Sequence, residues 1–237
     1  MNNLPAQPNQ SLMDGIAVLQ SLSVRAGPVT CTKLSRELGL ELTRTNRLLK
    51  TLHHLGLTHR TQNRKYEIGP GIHVLAAQCL HSSGLLQKAL PFLVALKKWK
   101  LAAALGVLWH NHVSYLYHWR PGLTTEEAIA RIALYPATIS SIGLTLLSCQ
   151  AEDDIKKMFL NKNIAGFHSC ARLLQALKRT RKNGYGMVKS GAETSIAVPV
   201  GEPPFAGLAV SGKIPVSSIH SVISKLHDIA DAVGRHQ

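Results

Sequence analysis

The sequence is short of acid. Its 237 residues hold 13 Asp and Glu against 27 Lys and Arg, a formal charge of +14. A chain this basic is expected to meet polyanions, nucleic acid before an acidic membrane surface. Long hydrophobic runs are missing as well. The longest, Leu101–Trp109, has nine residues, where a membrane-spanning helix needs about 20. The opening MNNLPAQPNQ has no basic stretch leading into an apolar core, so no secretory signal is expected and the expected compartment is the cytosol. Cysteine is scarce. Cys31, Cys79, Cys149 and Cys170 form no C-x-x-C pair, and we read them as reduced, mostly buried thiols. No G-x-S-x-G, Walker sequence, G-x-G-x-x-G or H-E-x-x-H occurs, and His53-His54 and His110-Asn111-His112 lack partners at ligand spacing. The expectation is no catalytic residue, no metal and no cofactor.

What is present is a packable chain. Apolar residues make up 45%, enough for a core, and the length allows one large domain or two smaller ones. The excess charge is spread along it: +5 over residues 1–75 and +9 over the remainder.

Residues 1–10 are polar and aperiodic and read as a disordered arm. From Ser11, Leu12, Ile16 and Leu19 fall at i, i+4 and i+7 on one helix face, before a stop by Gly27-Pro28. A short helix follows over Thr32–Leu38, capped by Thr30 or Thr32, with Leu34 and Leu38 inward and Gly39 at its end. A third runs from Thr43 to Leu55 with a core stripe of Leu48, Leu52 and Leu55 beside Leu49. Leu57–Thr61 and Lys65–Ile68 then alternate about a polar turn, a hairpin. Gly69-Pro70-Gly71 marks a boundary, and Ile72–Leu80 reads as a linking helix.

Helices and strands alternate thereafter. Leu85–Lys98 reads as a helix disturbed by Pro91, and Leu101–Trp109 and His112–Trp119 as paired strands. Helices are expected over Ser141–Cys149, Glu152–Phe159 and Ser169–Lys182. Strands are expected over Tyr185–Lys189, Thr194–Val200 and Phe205–Ser211, with Val216–Val233 as a closing helix. The basic run Lys178–Lys182 reads as a solvated helix end in favourable dipole position. Trp99, Trp109 and Trp119 read as packing residues.

Three short helices and a basic hairpin are the plan of a winged helix-turn-helix. The third helix must be apolar behind and polar in front to lie in a DNA major groove. Arg44, Thr45 and Arg47 stand in its first turns, where base edges are reached, and Lys50 continues the polar face. Thr32, Lys33 and Thr43 are candidate phosphate contacts. His59, Arg60, Arg64 and Lys65 give the wing its reach to phosphates.

The segment from Leu38 to Leu52, LGLELTRTNRLLKTL, resembles the signature of IclR-type transcriptional regulators, with Arg47-Leu48-Leu49 matching directly. His54-Leu55-Gly56-Leu57 and Tyr66-Glu67-Ile68-Gly69 resemble the family's entry to and exit from the wing. Leu90-Pro91-Phe92-Leu93, Arg181 with Asn183-Gly184-Tyr185, Ile196–Val200 and Leu208–Gly212 resemble its later motifs. Departures occur where the family favours His and Lys and this chain has Thr138 and Leu144. The segment between Tyr185 and Ile196 is short and holds one acid, Glu193.

The resemblance implies an α+β build: a disordered arm over 1–10, a winged helix-turn-helix over 11–69, a linker helix over 70–84 and a GAF-like α/β effector domain over 85–237. It implies a sequence-specific regulator, a repressor by expectation, of a metabolic operon. Its partners would be double-stranded operator DNA, a small-molecule effector with organic acids as one class, and copies of itself as a dimer or dimer of dimers. Carried over by position, Ser140, Ser141, Ile142, Ser195 and Ser211 would line the effector pocket, with Leu134, Leu146 and Leu208 as its apolar wall. The alternative is a DNA-binding dimer whose effector domain has lost its ligand and serves only assembly.

Overall fold

A computed structural model describes residues 7–129, 134–160 and 162–234. Most of the expected arm, residues 1–6, lies outside the described residues. The chain divides between Ser83 and Gly84 into two compact units.

The first unit holds helices α1 (Gln10–Ser23), α2 (Cys31–Leu38) and α3 (Leu42–His54), strands β1 (Thr58–Arg60) and β2 (Tyr66–Ile68), and helix α4 (Pro70–Ser83). Asn9 caps α1 by accepting from the Leu12 amide at 3.0 Å, which starts that helix one residue before the expected Ser11. Thr30 caps α2, and Gly39 ends it in the left-handed region at φ 64°. That conformation costs glycine nothing and lets α3 begin three residues later. β1 and β2 pair antiparallel, Thr58 against Ile68, to make the wing.

The core of this unit is Val18, Leu22, Val29, Leu34, Leu49, Leu52 and Tyr66. Two expectations are corrected by it. The apolar face of α1 at Leu12 and Ile16 is exposed, and α1 packs through Asp14, Gly15, Val18 and Leu22 instead. On α3 the inward stripe is Thr45, Leu49 and Leu52, while Leu48 is only half-buried and Leu55 is 60% exposed. The helix instead turns its Thr45 side inward because a helical threonine can satisfy its own hydroxyl, here by donating to the Glu41 carbonyl at 3.0 Å.

The second unit is a six-stranded antiparallel sheet ordered β5-β4-β3-β8-β7-β6. Its strands are β3 (Ala102–Trp109), β4 (His112–Trp119), β5 (Tyr135–Pro136), β6 (Gly186–Ser190), β7 (Glu193–Val200) and β8 (Ala206–Gly212). Helix α5 (Leu85–Leu96) and α9 (Ile219–Gly234) share one core with it, and α6 (Ser141–Ser148), α7 (Glu152–Phe159) and α8 (Cys170–Asn183) share another. Strand alternation separates the two faces. Ala103, Leu105, Ile196, Val198, Leu208 and Val210 belong to the α5/α9 core, and Ala104, Ala197 and Ala209 to the α6 core. Large residues therefore fill one side, and alanines leave room on the other.

Helix α5 runs through Pro91 unbroken, because Pro91 lies on its exposed side, where water can take the carbonyl left without a partner. The pair Tyr135–Pro136 was too short to show as a strand in the sequence. All four cysteines are free thiols, but Cys79 and Cys149 are exposed, against the expectation of burial. Trp119 packs in the core and donates from Nε1 to the Leu123 carbonyl at 2.7 Å, whereas Trp99 and Trp109 are exposed. No single helix among the described residues is long and apolar enough to cross a membrane.

Candidate functional site

Each unit carries one candidate site. In the first it is a helix face. With Thr45, Leu49 and Leu52 turned inward, α3 presents Thr43, Asn46, Arg47, Lys50 and His54 to solvent. These fall at i, i+3, i+4, i+7 and i+11, a single stripe. Thr43, Arg47 and Lys50 stand where the sequence reading put them. Thr45 does not: it is fully buried, its hydroxyl is spent on Glu41, and it is removed from the outward set. Asn46 was missed, although the same spacing would have found it. Asparagine offers the donor and acceptor pair that matches adenine.

Arg44 is half-buried on the flank of α3 that faces α1. Its Nε lies 2.6 Å from Asp14 Oδ2. Around this face stand the expected phosphate donors. Thr32 and Lys33 are exposed in the first turn of α2, and Arg60, Arg64 and Lys65 are exposed on the wing. The Arg60 guanidinium lies over the Tyr66 ring at 5.7 Å, which fixes its direction. Lys33 and Lys65 share a cleft of about 420 Å³ with Arg25, a cation that the sequence reading passed over. Arg25 is also ion-paired with Glu37.

In the second unit the site is a cavity of about 290 Å³ against the alanine side of the sheet. All five expected residues line it: Ser140, Ser141, Ile142, Ser195 and Ser211. The expected leucine wall does not. Leu146 and Leu208 are buried in the two cores, and Leu134 stands outside the lining. The apolar wall is made by Ala102, Ala104 and Ala209 with Val188 and Ile139. Tyr115, His118, Tyr135 and Glu193 also line it and were missed, since strand residues give no local motif.

Helix α6 sets the geometry. Ser140 caps it, accepting from the Gly143 amide at 3.2 Å, and Tyr115 Oη lies 3.0 Å from Ser140 Oγ. Ser141 Oγ and Ser195 Oγ are 2.7 Å apart, tying the helix start to β7. Thr145 adds bonds to the Ser141 and Ala197 carbonyls at 2.8 and 3.2 Å. Gly143 is required by close approach: a Cβ there would lie 2.1 Å from the Ala137 carbonyl oxygen. Burial pushes the Tyr115 phenol above its ordinary value despite the Ser140 bond, so it remains a neutral donor and acceptor. Among the described residues the lining holds no Lys or Arg, and positive character at the cavity comes from the first-turn amides of α6. At the other end of α6, Arg181 of α8 donates from Nε to the Ser148 carbonyl and from Nη2 to the Gln150 carbonyl, both at 2.6 Å. The basic run is therefore not wholly solvated: Arg181 is a strut. Among the described residues no cluster of His, Cys, Asp or Glu could hold a metal.

A basic winged helix-turn-helix with a separate unit enclosing a small cavity is the build of a DNA-binding transcriptional regulator. Comparison supplies the family. The IclR helix-turn-helix domain matches residues 11–62, and the C-terminal domain of bacterial IclR transcriptional regulators matches residues 77–234. The chain belongs to the IclR family, whose members are transcriptional regulators and not enzymes. Solved structures share the fold. An IclR transcriptional regulator from a Silicibacter species superposes with a TM-score of 0.80 at 17% identity, covering 95% of each chain. An IclR family regulator from Brucella abortus gives 0.76 at 19% identity, covering 98% of this chain and 95% of its own. An IclR homolog from Microbacterium hydrocarbonoxydans, complexed with 4-hydroxybenzoate, gives 0.66 at 21% identity, covering 95% and 98%. No curated protein sequence matches the chain significantly.

Proposed function

We propose that the protein is a cytoplasmic repressor of a metabolic operon. It reads operator DNA through α3 and is released when a small organic metabolite enters the cavity of the second unit. The observation that carries this reading is the outward stripe Thr43, Asn46, Arg47 and Lys50, set among the phosphate donors Thr32, Lys33, Arg60, Arg64 and Lys65. Specific base contacts by Arg47, and by Arg44 at the flank, would choose the site, and the remaining cations would supply affinity and register.

For the effector, the reading rests on the cavity's volume, its apolar floor and its hydroxyls, the profile of a small-metabolite site. An organic acid fits. Its carboxylate would lie at the α6 N-terminus near Ser140 and Ser141, its body against the alanines, and a hydroxyl would reach Tyr115, Ser195 or Ser211. The Microbacterium homolog's 4-hydroxybenzoate supports an acid of this shape. Self-association is supported by α4, which has no buried residue and exposes Val74 at 55% and Leu75 at 53%. A dimer, or a dimer of dimers, would present two α3 helices to half-sites about one helical turn apart.

A second reading has its own observation. The Ser141–Ser195 and Tyr115–Ser140 contacts let the cavity's hydroxyls satisfy each other with no ligand. That favours a domain kept only for assembly. A gel shift on DNA upstream of the protein's own gene, beside a scrambled duplex at roughly 50 and 200 mM salt, tests the DNA reading. About 1000-fold preference at the higher salt supports it; if the two duplexes bind alike and lose binding with salt, selection of bound fragments from the whole genome follows, and enrichment of no fragment refutes it. Organic acids that release the complex and raise the melting temperature support the effector reading, and a library without effect on either supports assembly alone.

A further inference from the structure

We propose that Asp14, a buried carboxylate on α1, positions Arg44 for base contact and so sets sequence specificity from outside the reading helix. The proposal rests on α3 being the DNA-reading helix. Asp14 is 6% exposed, among the buried residues of α1 that otherwise read Gly15, Val18 and Leu22. A carboxylate there is a poor choice for packing alone, because removing it from water is costly unless it is paired and fully bonded. It is paired. Arg44 Nε stands 2.6 Å from Oδ2, and Gln10 Nε2 donates to Oδ1 at 2.8 Å. Oδ1 is hydrogen-bonded by Gln10, while Oδ2 meets Arg44 as a close ion pair in which the Nε–H is not aligned as a hydrogen bond.

The consequence falls on Arg44. It occupies the first turns of α3, where a helix seated in the major groove reaches base edges. Its side chain keeps 36% of its surface while the Asp14 side chain keeps 9%. The ion pair therefore draws the buried Nε toward α1 and leaves the rest of the guanidinium accessible. A free arginine must lose several rotamers to meet guanine with two parallel bonds. One drawn to a buried carboxylate by charge has fewer rotamers left to lose, so less of the bond energy is spent on ordering. The reach of Arg44 is narrowed to the strip beside Thr43 and Arg47, which is the specificity a wandering arginine would lack.

The test begins with selection of bound duplexes from a random-sequence pool by the full-length chain, followed by binding to the selected and a scrambled duplex. Three variants are compared: Asp14→Asn, Arg44→Lys and Arg44→Ala, with Asp14→Asn also placed in the Arg44→Ala background. The expected result is that Asp14→Asn lowers the selected-to-scrambled ratio roughly 10-fold or more, within the range one bidentate base contact supplies, while binding to the scrambled duplex is not weakened. Arg44→Lys, which keeps the charge and exposed position but not the planar fork, should lower the ratio similarly and remains informative if Asp14→Asn fails to fold. In the Arg44→Ala background Asp14→Asn should have no further effect on the ratio.

A ratio kept within twofold in Asp14→Asn or in Arg44→Lys overturns the proposal. Equal weakening on both duplexes does so too, since that is what a purely structural Asp14 would give. A wild-type chain that selects no sequence overturns the reading of α3 itself, and this proposal with it. A wild-type chain that selects a sequence with an unaffected Asp14→Asn leaves that reading standing and overturns only the role of Asp14.

Discussion

Replacing Arg181 by methionine should loosen the helix that shapes the effector cavity, and the size of the effect follows from its two bonds. Arg181 donates to the Ser148 and Gln150 carbonyls at 2.6 Å each, at the C-terminal end of α6. Hydrogen bonds to a charged group contribute about 1.5–3 kcal/mol each when desolvated. Here the side chain stays exposed and the Gln150 bond lies at the surface, so water replaces part of what is lost. The two together are worth about 2 kcal/mol. For a unit of this size that is a fall of about 4–8 °C in melting temperature. Calorimetry on the full-length chain would follow the transition of the second unit. Lys182→Met, one residue on and with no such bonds, is the control and should stay within about 0.5 kcal/mol. Arg181→Lys keeps the charge near the α8 C-terminus but not the forked geometry, and should fall between the two. If Arg181→Met melts with the control, the arginine contributes only charge, the strut is refuted, and the run from Lys178 to Lys182 is the solvated helix end that its composition suggested.

Two further outcomes follow from the cavity itself. Gly143→Ala should destabilise the chain by about 3 kcal/mol, the upper end of overpacking, because its Cβ would meet the Ala137 carbonyl oxygen and Cα at 2.1 and 2.4 Å; urea unfolding measures this, and a change under 1 kcal/mol would show that the turn yields freely. The pH dependence concerns Tyr115, whose phenol burial pushes above 10.0. Below that value both folded and unfolded states are neutral and the residue makes stability no steeper. As pH rises past it the unfolded chain loses its proton first, so stability falls until the folded phenol ionises in turn. Tyr115→Phe should therefore flatten part of the alkaline limb of a stability profile, and a limb of unchanged slope would count against burial of the hydroxyl.

Much of the fold was legible because its punctuation is local. Thr30 caps the helix that follows it and Gly39 ends that helix in the left-handed region, as read from the sequence, whereas Asn9, which caps α1, falls in the stretch read as an arm. Such residues act through their own backbone and need no tertiary partner to be read. What misled was the weighing of one leucine against another. Leu12 and Ile16 have helical spacing and face solvent, and Leu55 continues the row of Leu48 and Leu52 yet is exposed while Leu52 is buried. Periodicity finds a face; it cannot say which of two faces is covered. Choosing Thr45 over Leu55 depends on whether a hydroxyl can close on the preceding carbonyl, and choosing Asp14 over Leu12 depends on an arginine 30 residues away.

The two candidate sites divide along the same line. Which α3 side chains face solvent was legible because they lie within one helix, where sequence spacing is spatial spacing; Asn46 was overlooked, Thr45 is buried, and Arg44 is half-buried toward α1. The cavity was read well on α6 and at Ser195 and Ser211, where family motifs fix position, and poorly elsewhere. Tyr115, His118, Tyr135 and Glu193 come from three strands and meet only after the sheet is assembled in the order β5-β4-β3-β8-β7-β6. The leucine wall failed for a related reason. Leucines at Leu146 and Leu208 are large enough to be needed in the cores, so the space a ligand needs is left by residues too small to fill it. Ala102, Ala104 and Ala209 make the cavity by what they lack. A search of strands for small residues facing a capped helix would have pointed to it sooner than a search for apolar ones.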